Sequence, residues 1–220
     1  IYSTSHILAL DRYGDPYHFV KRHIMWAALG VALMLFISRI DVRYLRRLAF
    51  PALVASVVGL LLVFVPGIGK EAGGARRWLS LGPLSVQPAE FAKLGLVFFL
   101  AHFLSIKGER LRDIKYGFLP TVVFTGIVLV LVLAQPDLGT AILIAAVVGM
   151  MLFIAGARWW HLTGCALLVS PVLYWMIFAV PWRRQRVLAF LDPFAGAQNA
   201  GYQLVQALLA MALGGIVGMG

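Results

Sequence analysis

Apolar stretches of membrane-spanning length recur along this chain, separated by short segments that hold most of its charge. A helix needs about 20 apolar residues to cross the ~30 Å of a bilayer's hydrocarbon core. Hydrophobic residues make up 61% of the 220 residues and charged residues 13%, whereas soluble domains carry about a quarter charged residues. The chain is therefore predicted to be all-α, a polytopic transmembrane helical bundle.

The apolar runs predict six complete spans. They cover residues 24–38, 48–65, 88–106, 117–134, 138–157 and 162–180, with partial spans at 1–10 and 202–220. Because the chain starts and stops inside apolar stretches, we expect a single transmembrane domain over residues 1–220 that is incomplete at both ends.

Successive spans cross the membrane in opposite directions, so alternate connections share a face. The segments 11–22, 66–87, 135–137 and 181–201 are predicted to lie on one side, which we call the motif face. The turns 39–47, 107–116 and 158–161 lie on the other side, which we call the opposite face. Residues 66–87, rich in glycine, and 181–201 are predicted to be long loops.

Nine lysines and arginines fall on each face, so the positive-inside rule does not decide the orientation. The compact basic turns favour a cytoplasmic opposite face.

Composition excludes several classes of function. A net charge of +10 often indicates nucleic acid, but with this apolar content it favours anionic lipid, and no nucleic-acid partner is expected. The single cysteine, Cys165, allows neither a disulfide framework nor a thiolate metal site. The histidines show no metal-ligand spacing, and there is no Gly-x4-Gly-Lys-Ser/Thr loop for a nucleotide.

Two charged residues interrupt the span 88–106. Glu90 and Lys93 are three residues apart, hence on one helix face, where they can form an ion pair. A charge at mid-bilayer costs roughly 2.5–3.5 kcal/mol on insertion scales, so such residues usually face a partner or a cavity. The alternative is local: Gln87 caps the helix, Pro88 opens it, Glu90 closes the capping box and Lys93 reaches the interface.

A second Gln-Pro step, Gln135-Pro136, opens the next motif-face helix with Asp137 in its first turn. Either Asp137 complements the helix dipole, or it meets a cation or a substrate hydroxyl at the head of a cavity. Arg183 and Arg186 belong to a basic cluster just outside a span. Such clusters bind lipid headgroups, or they recognise phosphate through the guanidinium fork.

Four motifs follow one another along the chain: Gly74-Ala75-Arg76-Arg77-Trp78, Gln87-Pro88-Ala89-Glu90-x-x-Lys93, Ala134-Gln135-Pro136-Asp137-Leu138-Gly139-Thr140 and Arg183-x-x-Arg186 with Asp192-Pro193 and Gly201-Tyr202-Gln203. Together they resemble the SEDS family of membrane proteins, and the double arginine before Trp78 is closer to its FtsW branch than to its RodA branch. The resemblance spans essentially the whole chain and implies a fragment of a fold of about ten helices.

The resemblance implies a peptidoglycan glycosyltransferase that polymerises lipid II outside the bacterial cytoplasmic (inner) membrane, in cell division or cell-shape maintenance. It also implies a class B penicillin-binding transpeptidase partner, other divisome or elongasome proteins, and an external motif face. A divalent cation, Mg or Mn, is a possible cofactor, with no nucleotide. The family's proposed catalytic aspartate is expected after Gly220, so no catalytic residue is assigned within the chain.

We expect the candidate residues to divide into two groups. Substrate binding is assigned to Arg76, Arg77, Trp78, Gln87, Arg183 and Arg186, whose cations suit a pyrophosphate leaving group. Lining of the cavity beneath is assigned to Glu90, Lys93, Gln135 and Asp137. Two rival functions remain: a lipid II transporter, because intramembrane ionisable residues also serve transport, and a non-catalytic scaffold for a transpeptidase.

Overall fold

The computed structural model describes residues 2–72, 75–81, 84–192, 194 and 201–214. Gly73-Gly74, Pro193 and the last six residues of the predicted span 202–220 lie outside the described residues. The described residues form nine α-helices: α1 Tyr2–Tyr13, α2 His18–Ser38, α3 Val42–Leu62, α4 Pro88–Lys107, α5 Leu119–Ala134, α6 Leu138–Ile154, α7 Trp159–Phe178, α8 Pro181–Leu191 and α9 Tyr202–Gly214.

Within the described part of the chain, five helical stretches are long and apolar enough to cross a membrane: His18–Ser38, Val42–Leu62, Pro88–Lys107, Ile114–Ala134 and Trp159–Phe178. Leu138–Ile154 and Tyr202–Gly214 are shorter apolar helices. The predicted polytopic helical bundle is confirmed. The chain divides into two compact units, one of Ile1–Arg39 with Leu167–Gly220 and one of Ile40–Ala166.

Within the second unit, α3 and α4 pack closely because small residues face each other. A Cβ atom placed on Gly95 of α4 would lie 2.4 Å from Ser56 Oγ and 2.9 Å from the Ala52 carbonyl oxygen of α3. Ser56 Oγ itself lies 2.7 Å from Ala52 O and 3.2 Å from Phe91 O, so it joins the two helices. Small residues at a membrane helix interface allow this approach.

The rest of the core in this unit is a contiguous apolar cluster that extends from α4 onto α5 and α6. Leu96 and Leu100 of α4 are fully buried, and so are Val128 and Val132 of α5. Lipid offers no hydrophobic gain for helix association, so dispersion contacts of this kind hold the bundle together.

The segment predicted as a glycine-rich loop, residues 66–87, contains a three-stranded antiparallel sheet instead. Its strands are β1 Gly69–Ala72, β2 Ala75–Leu81 and β3 Leu84–Val86, in the order β1-β2-β3. The central strand pairs with both neighbours, Leu79 lying opposite Gly69 on one side and Val86 on the other. Pairing satisfies backbone groups that an open loop would expose next to the bilayer.

The second predicted long loop, 181–201, also begins with regular structure. Pro181 opens α8, which continues to Leu191. Proline is favoured in the first turn because its missing N–H has no intrahelical partner there. Arg183 and Arg186 therefore lie on a helix rather than in a loop.

The polar segments 11–22 and 39–47 are shorter than predicted, because an aspartate in each accepts a hydrogen bond from a backbone N–H two residues later. Asp41 caps α3 by accepting a hydrogen bond from the Arg43 N–H at 2.9 Å, so the basic segment 39–47 is mostly helix. Between α1 and α2, Asp15 accepts from the Tyr17 N–H and pairs with Lys21 at 2.7 Å. The hydrogen bond from Lys21 holds the pKa of Asp15 below its usual value.

We expect Gly95→Val to lower the thermal unfolding midpoint in detergent, because its side chain would push α3 away from α4. Overpacking of this kind costs typically about 1–3 kcal/mol. The matched control is Gly126→Val on α5, where a Cβ atom has nothing within 4 Å. Equal midpoints for the two variants would contradict the close packing of α3 and α4.

Candidate functional site

The turn between α5 and α6 is held by a buried amide side chain. Gln135 is 1% exposed, and its Nε2 donates a hydrogen bond of 3.0 Å to the carbonyl oxygen of Leu60, near the end of α3. The last carbonyls of a helix have no intrahelical partner, so a side-chain donor satisfies one of them here. This bond joins two elements that are 75 residues apart in the chain.

Arg77 extends from the sheet onto the same turn. Its Nε donates to the carbonyl oxygen of Gln135 at 3.0 Å, and its Nη2 donates to that of Pro136 at 2.6 Å. Two of the five N–H donors of the guanidinium are used in this way. Arg77 therefore joins segment 66–87 directly to the 135–137 turn.

Asp137 is the N-cap of α6 and is 9% exposed. Its Oδ1 accepts from the Thr140 N–H at 3.1 Å, and its Oδ2 accepts from Thr140 Oγ1 at 2.9 Å. The same Oδ2 accepts from Gln87 Nε2 at 3.2 Å. The helix-cap interpretation is therefore confirmed, and the carboxylate also joins the N-termini of α4 and α6. We call Arg77, Gln87, Gln135 and Asp137 the junction cluster.

Gln87 occupies the N-cap position of α4, with Pro88 in the first turn, as predicted. Its side chain makes no capping hydrogen bond and reaches Asp137 instead. The predicted capping box with Glu90 does not form, because each side chain has a different partner.

Glu90 pairs with Lys93, as the spacing predicted. Lys93 Nζ lies 2.8 Å from both carboxylate oxygens of Glu90. The Lys93 side chain is 24% exposed and that of Glu90 is 55% exposed, so the pair lies at the surface of the helix rather than in the core. Because an unpaired charge is costly in hydrocarbon, each residue lowers the cost of the other.

The two adjacent arginines of β2 have different environments. Side chains alternate between the faces of a strand. Arg77 belongs to the junction cluster, whereas Arg76 is exposed. Arg76 Nε lies 3.8 Å from Glu71 Oε2, with both side chains more than half exposed, a weak ion pair. Trp78 lies opposite Lys70 in the pairing of β1 with β2 and is half-buried.

Arg183 and Arg186 belong to the unit of residues 1–39 and 167–220. Both guanidinium groups lie 5.2 Å from the ring centre of Trp182, within cation–π range. Arg183 Nη1 also donates to the carbonyl oxygen of Met176 at 3.0 Å. Arg186 is exposed, and its predicted phosphate recognition stays a prediction.

The family described as cell cycle protein, which takes its name from FtsW, RodA and SpoVE, matches residues 1–220. The chain belongs to the FtsW/RodA/SpoVE family. It is 40% identical, over all of its 220 residues, to a probable peptidoglycan glycosyltransferase FtsW of Geobacter metallireducens, of which it covers 59%. It is 33% identical over 220 residues to stage V sporulation protein E of Bacillus subtilis, of which it covers 60%. The chain thus spans about three fifths of the length of these relatives.

Two solved structures of the family resemble this fold. One, described as "Structural coordination of polymerization and crosslinking by a peptidoglycan synthase complex", has a TM-score of 0.72 and 32% identity. The match covers 98% of this chain and 63% of that one. The other is the rod shape determining protein RodA of Thermus thermophilus, with a TM-score of 0.60 and 30% identity over 78% of this chain and 55% of that one.

The sequence analysis did not predict that Thr140 or the carbonyl group of Leu60 would belong to the site. The signal for Thr140 was present, because a side chain three residues after an N-cap aspartate is placed to bond with it. The contact between Gln135 and Leu60 had no local signal, because its partner is the backbone of a distant helix.

The described residues do not fit a resident metal ion. Among them, no three His, Cys, Asp or Glu side chains come together. Asp137 is the carboxylate of the junction cluster, and its oxygens already accept three hydrogen bonds. A divalent cation prefers several oxygen ligands at once, which this part of the chain does not supply.

The Glu90–Lys93 pair predicts a thermodynamic coupling. Glu90→Gln or Lys93→Gln alone leaves one uncompensated charge, so each should lower the unfolding midpoint in lipid nanodiscs more than the double variant does. Coupling energies between contacting residues are typically about 0.5–3 kcal/mol. Strictly additive losses across the four proteins would show that the two charges act independently.

Proposed function

We propose that this chain acts in a peptidoglycan glycosyltransferase that polymerises lipid II into glycan strands at the external face of the bacterial cytoplasmic membrane. The observation that carries the proposal is the junction cluster, a buried polar network that fixes a sheet bearing Arg76 and Trp78 at the end of the helical bundle. The proposal is supported by relatives that are named as probable peptidoglycan glycosyltransferases.

The reaction would place negative charge on a leaving group. A sugar hydroxyl of the acceptor attacks the anomeric carbon of the donor, the bond from that carbon to the lipid pyrophosphate breaks, and the hydroxyl proton passes to a general base. Preorganised cations lower the barrier where such charge develops. No residue of this chain is assigned as that base, and a lipid-linked donor requires no nucleotide.

The arginines would divide this task. Arg77 donates two hydrogen bonds to the 135–136 turn, so we assign it to positioning the sheet. Arg76 is exposed and holds only a distant Glu71 carboxylate, so we assign it to the pyrophosphate. Trp78 and Gln87 complete the proposed substrate-binding set within the 40–166 unit. Arg183 and Arg186 belong to the other unit, and their substrate-binding role stays a prediction. A divalent cation, Mg or Mn, stays a proposal for the whole protein, and no step above is assigned to it.

A class B penicillin-binding transpeptidase is the proposed partner. A solved relative is described as a peptidoglycan synthase complex that coordinates polymerisation and crosslinking, which supports a partner that crosslinks the strands. Other membrane proteins of division or elongation would recruit the assembly.

A transporter of lipid II is the second candidate, favoured by the Glu90–Lys93 pair in a membrane-spanning helix. Reconstitution of the full-length protein in liposomes with labelled lipid II separates the candidates. Glycan ladders on a gel indicate a polymerase, and leaflet exchange without polymer indicates a transporter. A protein that does neither, yet binds a transpeptidase, is a scaffold.

The split between the two arginines is testable in the same assay. Arg76→Ala should reduce polymerisation at least about ten-fold through weaker substrate binding, with little change in the unfolding midpoint, since removal of a charge-assisted contact costs about 1.5–3 kcal/mol. Arg77→Ala should lower both polymerisation and the midpoint. Arg12→Ala, an exposed arginine outside the four motifs, is the control. Wild-type activity in the Arg76 variant would contradict the assigned role.

Asp137→Asn tests whether the junction carboxylate acts through its charge. Asn keeps an oxygen for the Thr140 N–H, and the Gln87 amide can rotate to present its own oxygen, so the fold should persist. Turnover should fall by about ten-fold or more, because the charge that orients the two helix N-termini is lost. If the variant polymerises lipid II at the wild-type rate across a titration of Mg and Mn, Asp137 is a helix cap only.

A further inference from the structure

A cavity of about 460 Å³ lies on the opposite face of the 40–166 unit. Its walls are Arg112, Asp113 and Ile114, from the connection between α4 and α5, and Arg158 and His161, from the turn that begins α7. Helices α5 and α6 separate it from Asp137 by roughly 25 Å, at 1.5 Å per residue. It is therefore distinct from the junction cluster.

The lining of this cavity carries a net positive charge, from two arginines and one aspartate. Arg112 and Arg158 make no ion pair within the described part of the chain. The acid in the wall, Asp113, has a structural role, because its Oδ1 accepts from the Lys115 N–H at 3.0 Å and caps the π-helical turn Ile114–Phe118. Two guanidinium groups thus face one partly satisfied carboxylate.

Two further features place the cavity at the depth of lipid headgroups. Trp159 and Trp160, next to Arg158, are exposed and stacked, and tryptophans of this kind collect at membrane interfaces. The ring of His161 lies 5.2 Å from that of Phe118, and its Nδ1 is buried without a hydrogen-bond partner among the described residues. The wall thus holds an unused polar group beside the arginines.

We propose that this cavity binds the phosphate of an anionic phospholipid. A guanidinium fork matches two phosphate oxygens, and basic pockets between transmembrane helices bind anionic headgroups. The volume lies within the range of small-molecule sites. From the Ile114 wall, Leu119, Val123 and Ile127 are exposed at four-residue spacing along α5, which provides an apolar path for an acyl chain that a free phosphate does not need.

The test is native mass spectrometry of the delipidated full-length protein in a neutral detergent, titrated with phosphatidylglycerol or phosphatidylcholine. Phosphatidylglycerol should bind preferentially.

The double variant Arg112→Gln with Arg158→Gln should lose about ten-fold or more of that affinity, since each basic residue near an anionic lipid contributes a factor of about five. The control, Arg43→Gln with Arg47→Gln, removes the same formal charge from the same face and should lower affinity much less than the cavity pair does, because neither side chain lines the cavity. Equal losses in the two pairs would overturn the cavity as the site.

A variant that binds phosphatidylglycerol more tightly than the wild type tests the cavity without relying on a loss that misfolding could also cause. Asp113→Asn keeps an oxygen for the Lys115 N–H and removes the negative charge from the wall, so phosphatidylglycerol affinity should rise a few-fold. An unchanged or lower affinity would contradict the proposal. Inorganic phosphate or glycerol 3-phosphate, added at millimolar concentration, should not displace the lipid. Displacement that depends on Arg112 and Arg158 would overturn the lipid assignment in favour of a soluble phosphate ligand.

Discussion

Gln135 places an amide side chain in the apolar core and uses it to satisfy a carbonyl of α3. In hydrocarbon, backbone groups at a chain reversal have no water to bond with, so side chains or other backbone must replace it. At the reversal between α5 and α6, Arg77 bonds to the carbonyl oxygens of Gln135 and Pro136 from the sheet side. The ends of α3 and α5, the start of α6 and the central strand thus depend on a few polar side chains.

The small sheet is attached to the bundle through these contacts. Pairing with β1 and β3 satisfies backbone groups on both sides of β2, and the bonds of Arg77 connect that central strand to the α5–α6 turn. The exposed face then presents Arg76 at a defined position. A binding group on a rigid element loses less conformational freedom when a ligand arrives.

The two ends of the 40–166 unit use arginine in different ways. At the motif face, Arg77 bonds to backbone and Arg76 has a weak partner. At the opposite face, Arg112 and Arg158 line a cavity whose acid is engaged in capping a turn. Each face has nine basic residues, and this equal number does not reveal the difference. A count does not distinguish a cation that stabilises the fold from one that is available to a ligand.

The sequence by itself determined the class of protein, its family and several local contacts. Runs of about 20 apolar residues force helices in a bilayer, and spacing of three residues placed Glu90 beside Lys93. These are properties of neighbouring residues. Tertiary structure decided that Gln87 bonds to Asp137 rather than capping its own helix. It also decided that Arg76 and Arg77 have different partners, that β1, β2 and β3 form a sheet and that Gln135 reaches Leu60. Each of these contacts depends on strand pairing or on a partner 50 or more residues away. Short-range sequence patterns carry no information about which distant polar group will lack a hydrogen-bond partner.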